Sequence, residues 1–332
     1  IYAALVFTVC VGIVTLLSGN AALEEEGAAE KLMPDQVTYL PGYGAPYQTQ
    51  YAGTVTVNPE MHGKLAYWFI EGNGADEDTP LIMWLNGGPG ASSMTGMLSE
   101  MGAYSIKDDG SLVKNPYGWN MAGHLLSFDQ PVGTGYSTVD KPESTEGYVH
   151  SMQEMREQLY IGLQEFFALH PELVDNPFYI SGESYAGKYI PNIAYEIHNM
   201  NMNVPEGRVK LNLQGILIGN GQMKPVMQYP TAAEYARGVG LISDQQLVEA
   251  YEGYAACAAL KEAGDLIHAF AECQDTEDVL YQQWAGNPFI YDIRQPNGVF
   301  DKLTGVLTTY FNSDEVKAAF GLPDDASWVQ VD

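Results

Sequence analysis

Apolar residues fall along the chain in two rhythms. Short, continuously apolar runs at residues 80–85, 125–128, 178–180 and 215–218 have the length of strands buried on both faces. Ahead of all of them, residues 54–57 and 65–70 read as two strands joined by a turn-rich stretch containing Asn58, Pro59 and Gly63. Between the runs the period changes. Tyr148, Met152, Met155, Leu159, Leu163 and Phe166 recur at helical spacing, with Pro171 closing the helix, and residues 186–199 alternate apolar and polar in the same way. Buried strands alternating with amphipathic helices predict an α/β fold around a mostly parallel sheet with an antiparallel start. From about residue 222 to 286 there is no buried-strand run, and alanine, tyrosine and acidic residues dominate. That composition predicts a helical insertion over the sheet.

The first 17 residues form an almost wholly apolar run, followed by the small-residue tract Ser18-Gly19-Asn20-Ala21-Ala22 and then Glu24-Glu25-Glu26. This order fits the apolar region and cleavage end of a secretory signal peptide, with a membrane anchor as the alternative. Either directs the chain into the secretory route. The expected organisation is a leader at residues 1–22, the first part of an α/β core at 23–221, a helical insertion at 222–300 and the start of a C-terminal core part at 301–332.

Composition narrows the function classes. With 46% hydrophobic and 17% charged residues the chain is globular. A formal net charge of -27, from 42 acidic against 15 basic residues, repels nucleic acid and anionic membranes. Nucleic-acid binding is excluded on that ground. Cys10 lies in the leader, so Cys257 and Cys273 remain as a pair, either disulfide-bonded in an oxidising compartment or two buried thiols. Neither has a second ligand at metal spacing, and no metal or cofactor is expected.

Two stretches carry chemistry. In Gly182-Glu183-Ser184-Tyr185-Ala186-Gly187 a serine stands between a strand and a helix, flanked by small residues. A strand–turn–helix of this kind holds the hydroxyl clear of its neighbours as a candidate nucleophile, and the main-chain N–H after the serine, here Tyr185, is placed to stabilise an oxyanion. The second stretch, Trp84-Leu85-Asn86-Gly87-Gly88-Pro89-Gly90, leaves a buried strand into backbone nearly free of side chains. It lacks the Gly-Lys-Ser/Thr ending of a phosphate cradle. A second oxyanion donor is the better use for it.

These stretches, together with Asp129-Gln130-Pro131-Val132-Gly133-Thr134-Gly135-Tyr136-Ser137, Ile218-Gly219-Asn220-Gly221 and the tail around Tyr310-Phe311-Asn312, resemble the serine carboxypeptidases in the same order, over about residues 40–323. The branch they resemble most is that of the vitellogenic-like carboxypeptidases. The resemblance implies an α/β-hydrolase fold with a helical insertion, and removal of amino acids from the C-termini of peptides or proteins at acid pH, in the lysosome, the vacuole or outside the cell. It implies Ser184 as nucleophile, with Gly88 and Tyr185 as oxyanion donors. Asn86, Gly87 and Glu183, supported by Trp84 and Glu100, would receive the substrate's terminal carboxylate. Two adjacent glutamates share a proton because both cannot ionise cheaply, and a shared proton can be donated to a third carboxylate. That ties binding to acidic conditions.

The chain departs from the family pattern in two places. Ala91 stands where family members often have cysteine, so one family disulfide is not expected. The resemblance also implies that the aspartate and histidine that activate the serine lie downstream of the Tyr310 motif, beyond these 332 residues. After Ser184 the chain contains only His198 and His268, and Asp265 lies three residues before the latter. The expectation is that this piece alone does not turn over. An acyltransferase and a catalytically dead peptide-binding relative are the alternatives.

Overall fold

The computed structural model describes residues 33–141 and 145–331, so the leader expected at residues 1–22 lies outside the described residues. All elements named below belong to the unit Val37–Asp332. In chain order the strands are β1 (Gln50–Asn58), β2 (Gly63–Ile70), β3 (Leu81–Leu85), β4 (Tyr104–Ile106), β5 (Leu112–Lys114), β6 (His124–Asp129), β7 (Phe178–Glu183) and β8 (Leu213–Gly219). β4 and β5 form a small ribbon of their own. The other six make one sheet in the order β1-β2-β6-β3-β7-β8. β1, β2 and β6 pair antiparallel, and every pairing from β6 to β8 is parallel.

From β2 to β7 the sheet is covered on both faces, which is why those strands read as unbroken apolar runs. β8, at the edge, is half exposed, with Ile216 at 45% and Leu217 at 47%, against the expectation that residues 215–218 are buried on both faces. Along β2 the side chains alternate: Leu65, Tyr67 and Phe69 enter one core, Ala66, Trp68 and Ile70 the other. The first core is closed by α2 (Met152–Leu169) and α3 (Ala186–Met202), through residues such as Leu163, Phe166, Ile190 and Ile193. α1 (Met94–Ser99), α7 (Val299–Phe311) and α8 (Asp314–Ala319) close the second with Met97, Phe311 and Val316. α2 begins later than its apolar spacing suggests. Ser151 caps it by accepting from Glu154 N at 3.2 Å, and Tyr148 packs from the preceding loop.

Between the two halves of the core residues lie α4 (Pro225–Gly238), α5 (Asp244–Glu262) and α6 (Leu266–Asp278), with a π-helical turn at Val279–Trp284. Residues 285–298 are turns rather than helix, tied by a bridge between Pro288 and Pro296. Cys257 of α5 and Cys273 of α6 are disulfide-bonded, with their Cα atoms 5.3 Å apart. Among the described residues no helix is long and apolar enough to cross a membrane.

Candidate active site

The register of two neighbouring strands assembles the site. β3 and β7 are parallel with Leu85 opposite Gly182, so the loops that leave them depart side by side from the carboxyl edge of the sheet. The approach is close enough to require glycine. A Cβ on Gly87 would lie 2.4 Å from Tyr185 N and 2.8 Å from Ser184 Cβ, and one on Gly182 would lie 2.2 Å from Leu85 O. Gly187 is equally constrained, with its hypothetical Cβ 2.8 Å from Gln222 N. Gly88 follows Gly87 directly and has φ of 103°, which favours glycine.

Ser184 sits at the apex of the turn from β7 to α3 with φ of 57°, a conformation that costs a non-glycine residue about 1 kcal/mol or more. The surrounding main chain holds it there. Ser184 N donates to Gly219 O at 3.1 Å, while its carbonyl accepts from Gln222 N at 2.8 Å and Gly187 N at 3.0 Å. The residue is partly exposed. Among the described residues no side chain hydrogen-bonds its hydroxyl.

Beside this turn lies an acid pair. Asn86 Nδ2 donates to Glu183 Oε1 at 3.3 Å and to Glu100 Oε1 at 3.4 Å. The orientation of the amide is set from behind, because Asn86 Oδ1 accepts from Trp84 Nε1 at 2.8 Å and from Gly96 N at 3.1 Å. The two carboxyls also interact with each other directly enough for each to shift the other's titration. Although Glu100 as a whole residue is exposed, crowding around its carboxyl and the Glu183 charge push its pKa up to about 7. Burial raises Glu183 as well, with Glu100 and Asn86 pulling the other way. No cation neutralises the pair among the described residues. It therefore keeps a proton well above the usual carboxylate range and can donate it to an incoming carboxylate.

Trp84, Asn86, Gly87, Glu100, Glu183, Ser184 and Tyr185 thus meet in one cluster, with Gly88 on the same loop. Tyr291 was not visible from the sequence. Although Tyr291 as a whole residue is largely exposed, crowding around its phenol raises its pKa, and the charges of Glu183 and Glu100 add to the rise. Nothing in the local sequence marks it, since a tyrosine in a turn-rich segment has no motif of its own.

The histidines lie elsewhere. His198 is exposed on α3. His268 pairs with Asp265, Nδ1 to Oδ2 at 2.7 Å, but Asp265 is the exposed N-cap of α6, so this is a surface capping contact. His150 lines a hollow beside Tyr185 and Tyr189, where its Nε2 lies 3.1 Å from Thr145 O.

A mostly parallel sheet, helices on both faces and a strained serine between strand and helix at the carboxyl edge define an α/β-hydrolase. The family model for serine carboxypeptidases matches residues 41–332. The pheromone-processing carboxypeptidase KEX1 of Sordaria macrospora is 38% identical over 276 residues, covering 82% of this chain and 41% of that protein. The vitellogenic carboxypeptidase of Aedes aegypti is 34% identical over 273 residues, covering 80% of this chain and 56% of its own. A solved structure of a prohormone-processing carboxypeptidase from Saccharomyces cerevisiae superposes with a TM-score of 0.76 at 25% identity, over 86% of this chain and 66% of that one. The chain belongs to the serine carboxypeptidase family. It spans between 41% and 66% of the length of these three relatives.

Proposed function

We propose that this chain carries the nucleophile and the carboxylate-gripping site of a serine carboxypeptidase that acts on peptide or protein C-termini at acid pH. Ser184 Oγ bonds to the carbonyl carbon of the last peptide bond. Charge building on the carbonyl oxygen is taken by the N–H groups of Gly88 and Tyr185. The C–N bond then breaks, and the serine proton leaves with the released amino acid. Water opens the ester in a second step, freeing the shortened peptide and restoring the hydroxyl. Throughout, the leaving residue's carboxylate is held by Asn86, Gly87 and the protonated Glu100–Glu183 pair, with Trp84 fixing Asn86.

The observation that carries this reading is the bifurcated Asn86 bond to two carboxyls, one residue from a strained serine. A pair that must hold a proton is suited to a free terminal carboxylate and to nothing cationic nearby. Calorimetric titration at about pH 5 with an N-blocked dipeptide and with its C-terminal amide tests it. The free acid is expected to bind at least about tenfold tighter, as one charge-assisted hydrogen bond requires. Equal binding of acid and amide sinks the assignment.

A second reading, a peptide-binding relative without turnover, is favoured by one observation: no described histidine bonds the Ser184 hydroxyl. A fluorophosphonate probe tests it: rapid labelling of Ser184 shows an activated nucleophile, and overturns both the binding-only reading and the expectation that this piece alone does not turn over.

A secretory-route location, lysosomal, vacuolar or extracellular, fits the Cys257–Cys273 disulfide, since such bonds persist in oxidising compartments.

A further inference from the structure

The glycine-rich loop after β3 has almost no side chains with which to hold itself in place. Within residues 87–91 its ties are Ala91 N to Gly87 O at 3.2 Å, Gly90 N to the Tyr189 hydroxyl at 3.1 Å and an antiparallel bridge between Ala91 and Val331. Its position against Ser184 is therefore set from its two ends. Asn86 anchors the first end. The second leads to Asp129, the last residue of β6, which is fully buried and forms no ion pair among the described residues.

Asp129 Oδ1 accepts from Ser92 Oγ at 2.6 Å and Oδ2 accepts from Tyr136 N at 3.1 Å. The Ser92 hydroxyl is saturated, because it also accepts from Trp328 Nε1 at 3.1 Å and Met94 N at 3.2 Å. Space around the carboxyl is complete: a Cβ on Gly135 would fall 1.8 Å from Asp129 Oδ2. A third segment joins here. Ser92 N donates to Gln330 O at 2.9 Å, and Gly135 and Val329 exchange main-chain bonds of 3.0 and 3.2 Å. One buried carboxyl thus gathers the loop after β3, the loop after β6 and the segment around Val329.

We propose that Asp129 is a positioning residue, whose carboxyl, acting through Ser92, fixes the Gly87-to-Ala91 loop against Ser184 and Tyr185. The inference rests on the reading above only in giving that loop an oxyanion donor. The fixing of the loop is independent of it.

Asp129→Asn keeps the shape but places an amide donor among donors. Ser92→Ala removes the bridging hydroxyl, and Ser92→Thr retains it. Amide hydrogen exchange on the intact chain reads the result without substrate. In D129N and S92A the amides of residues 87–92 are expected to exchange about tenfold faster or more, while those of β3 and β7 keep their rates and S92T stays within about twofold of the parent. Uniform acceleration across loop and strands would reduce Asp129 to a general stability role, and unchanged loop rates would remove it from the loop altogether; either overturns the proposal. Should D129N fail to fold, the S92A and S92T pair decides alone. Failure of the free-acid peptide to bind bears only on the functional reading, because these rates need no ligand.

Discussion

The loops at the carboxyl edge of the sheet and the helical stretch from α4 to the π-helical turn are held by different means. The sheet is clamped between two cores containing Trp68, Tyr67, Phe69, Phe128, Phe166 and Phe178, all essentially fully buried. Its site loops are short, glycine-rich and tied by main-chain bonds. The helical stretch buries mostly small or half-polar residues, namely Ala233, Ala236, Ile242, Ala250, Tyr254 and Leu280, and leaves Leu266, Ile267 and Phe270 largely exposed. A capping box at Ser243 and Gln246 and the disulfide supply part of what a large core would otherwise provide. Geometry that must be accurate to fractions of an ångström is built on the two-sided sheet. Less packing depends on the helical stretch.

Removing the disulfide tests that division most strongly. Replacing Cys257 and Cys273 with serine is expected to destabilise the helical stretch by about 3 kcal/mol, with amide exchange rising over α4 to α6 and unchanged over β7 and α3. Equal loss in both regions would mean that the sheet leans on the helices.

Gly87→Ala attacks the other region. The added carbon meets Tyr185 N and Ser184 Cβ, so the β3 and β7 loops must part. Affinity for a blocked dipeptide with a free carboxylate is expected to fall by about 100-fold, measured by calorimetry, since a displacement of about 1 Å at a site has effects of that size. The helical stretch should not respond.

Glu100→Gln sharpens the electrostatics. Glu100 has its folded-state pKa raised to about 7, mainly by desolvation and then by the Glu183 charge. The folded chain therefore binds that proton more tightly than the unfolded chain does. The associated stability is present in acid and lost as pH rises through about 7. Carboxylate affinity should decline about tenfold over the same rise as the shared proton leaves, and the glutamine variant should flatten both profiles.

His268→Ala is expected to do least. Its partner Asp265 is exposed, and the pair lies at the exposed start of α6. The melting midpoint should move by about a degree or less and peptide binding not at all. A substantial loss of binding would make the pair part of the site after all.

Much of this arrangement was legible in the chain itself. Unbroken apolar runs marked β3, β6 and β7 because strands covered on both faces need no polar residues, the run in β8 marked a strand that is half exposed rather than buried, and helical spacing marked α2 and α3. Gly182, Ala186 and Gly187 announced a crowded turn around Ser184, since only small residues fit where backbones approach so closely. These are local signals, written within a few residues of the feature they specify. The tertiary structure alone decided what depends on register across the sheet. Glu100 and Glu183 are separated by 83 positions and meet because Leu85 lies opposite Gly182, which brings Asn86 between them. Tyr291 and the gathering of three segments at Asp129 were hidden for the same reason. A side chain's charge state and partners are set by what the fold brings to it, and no run of neighbouring residues encodes that.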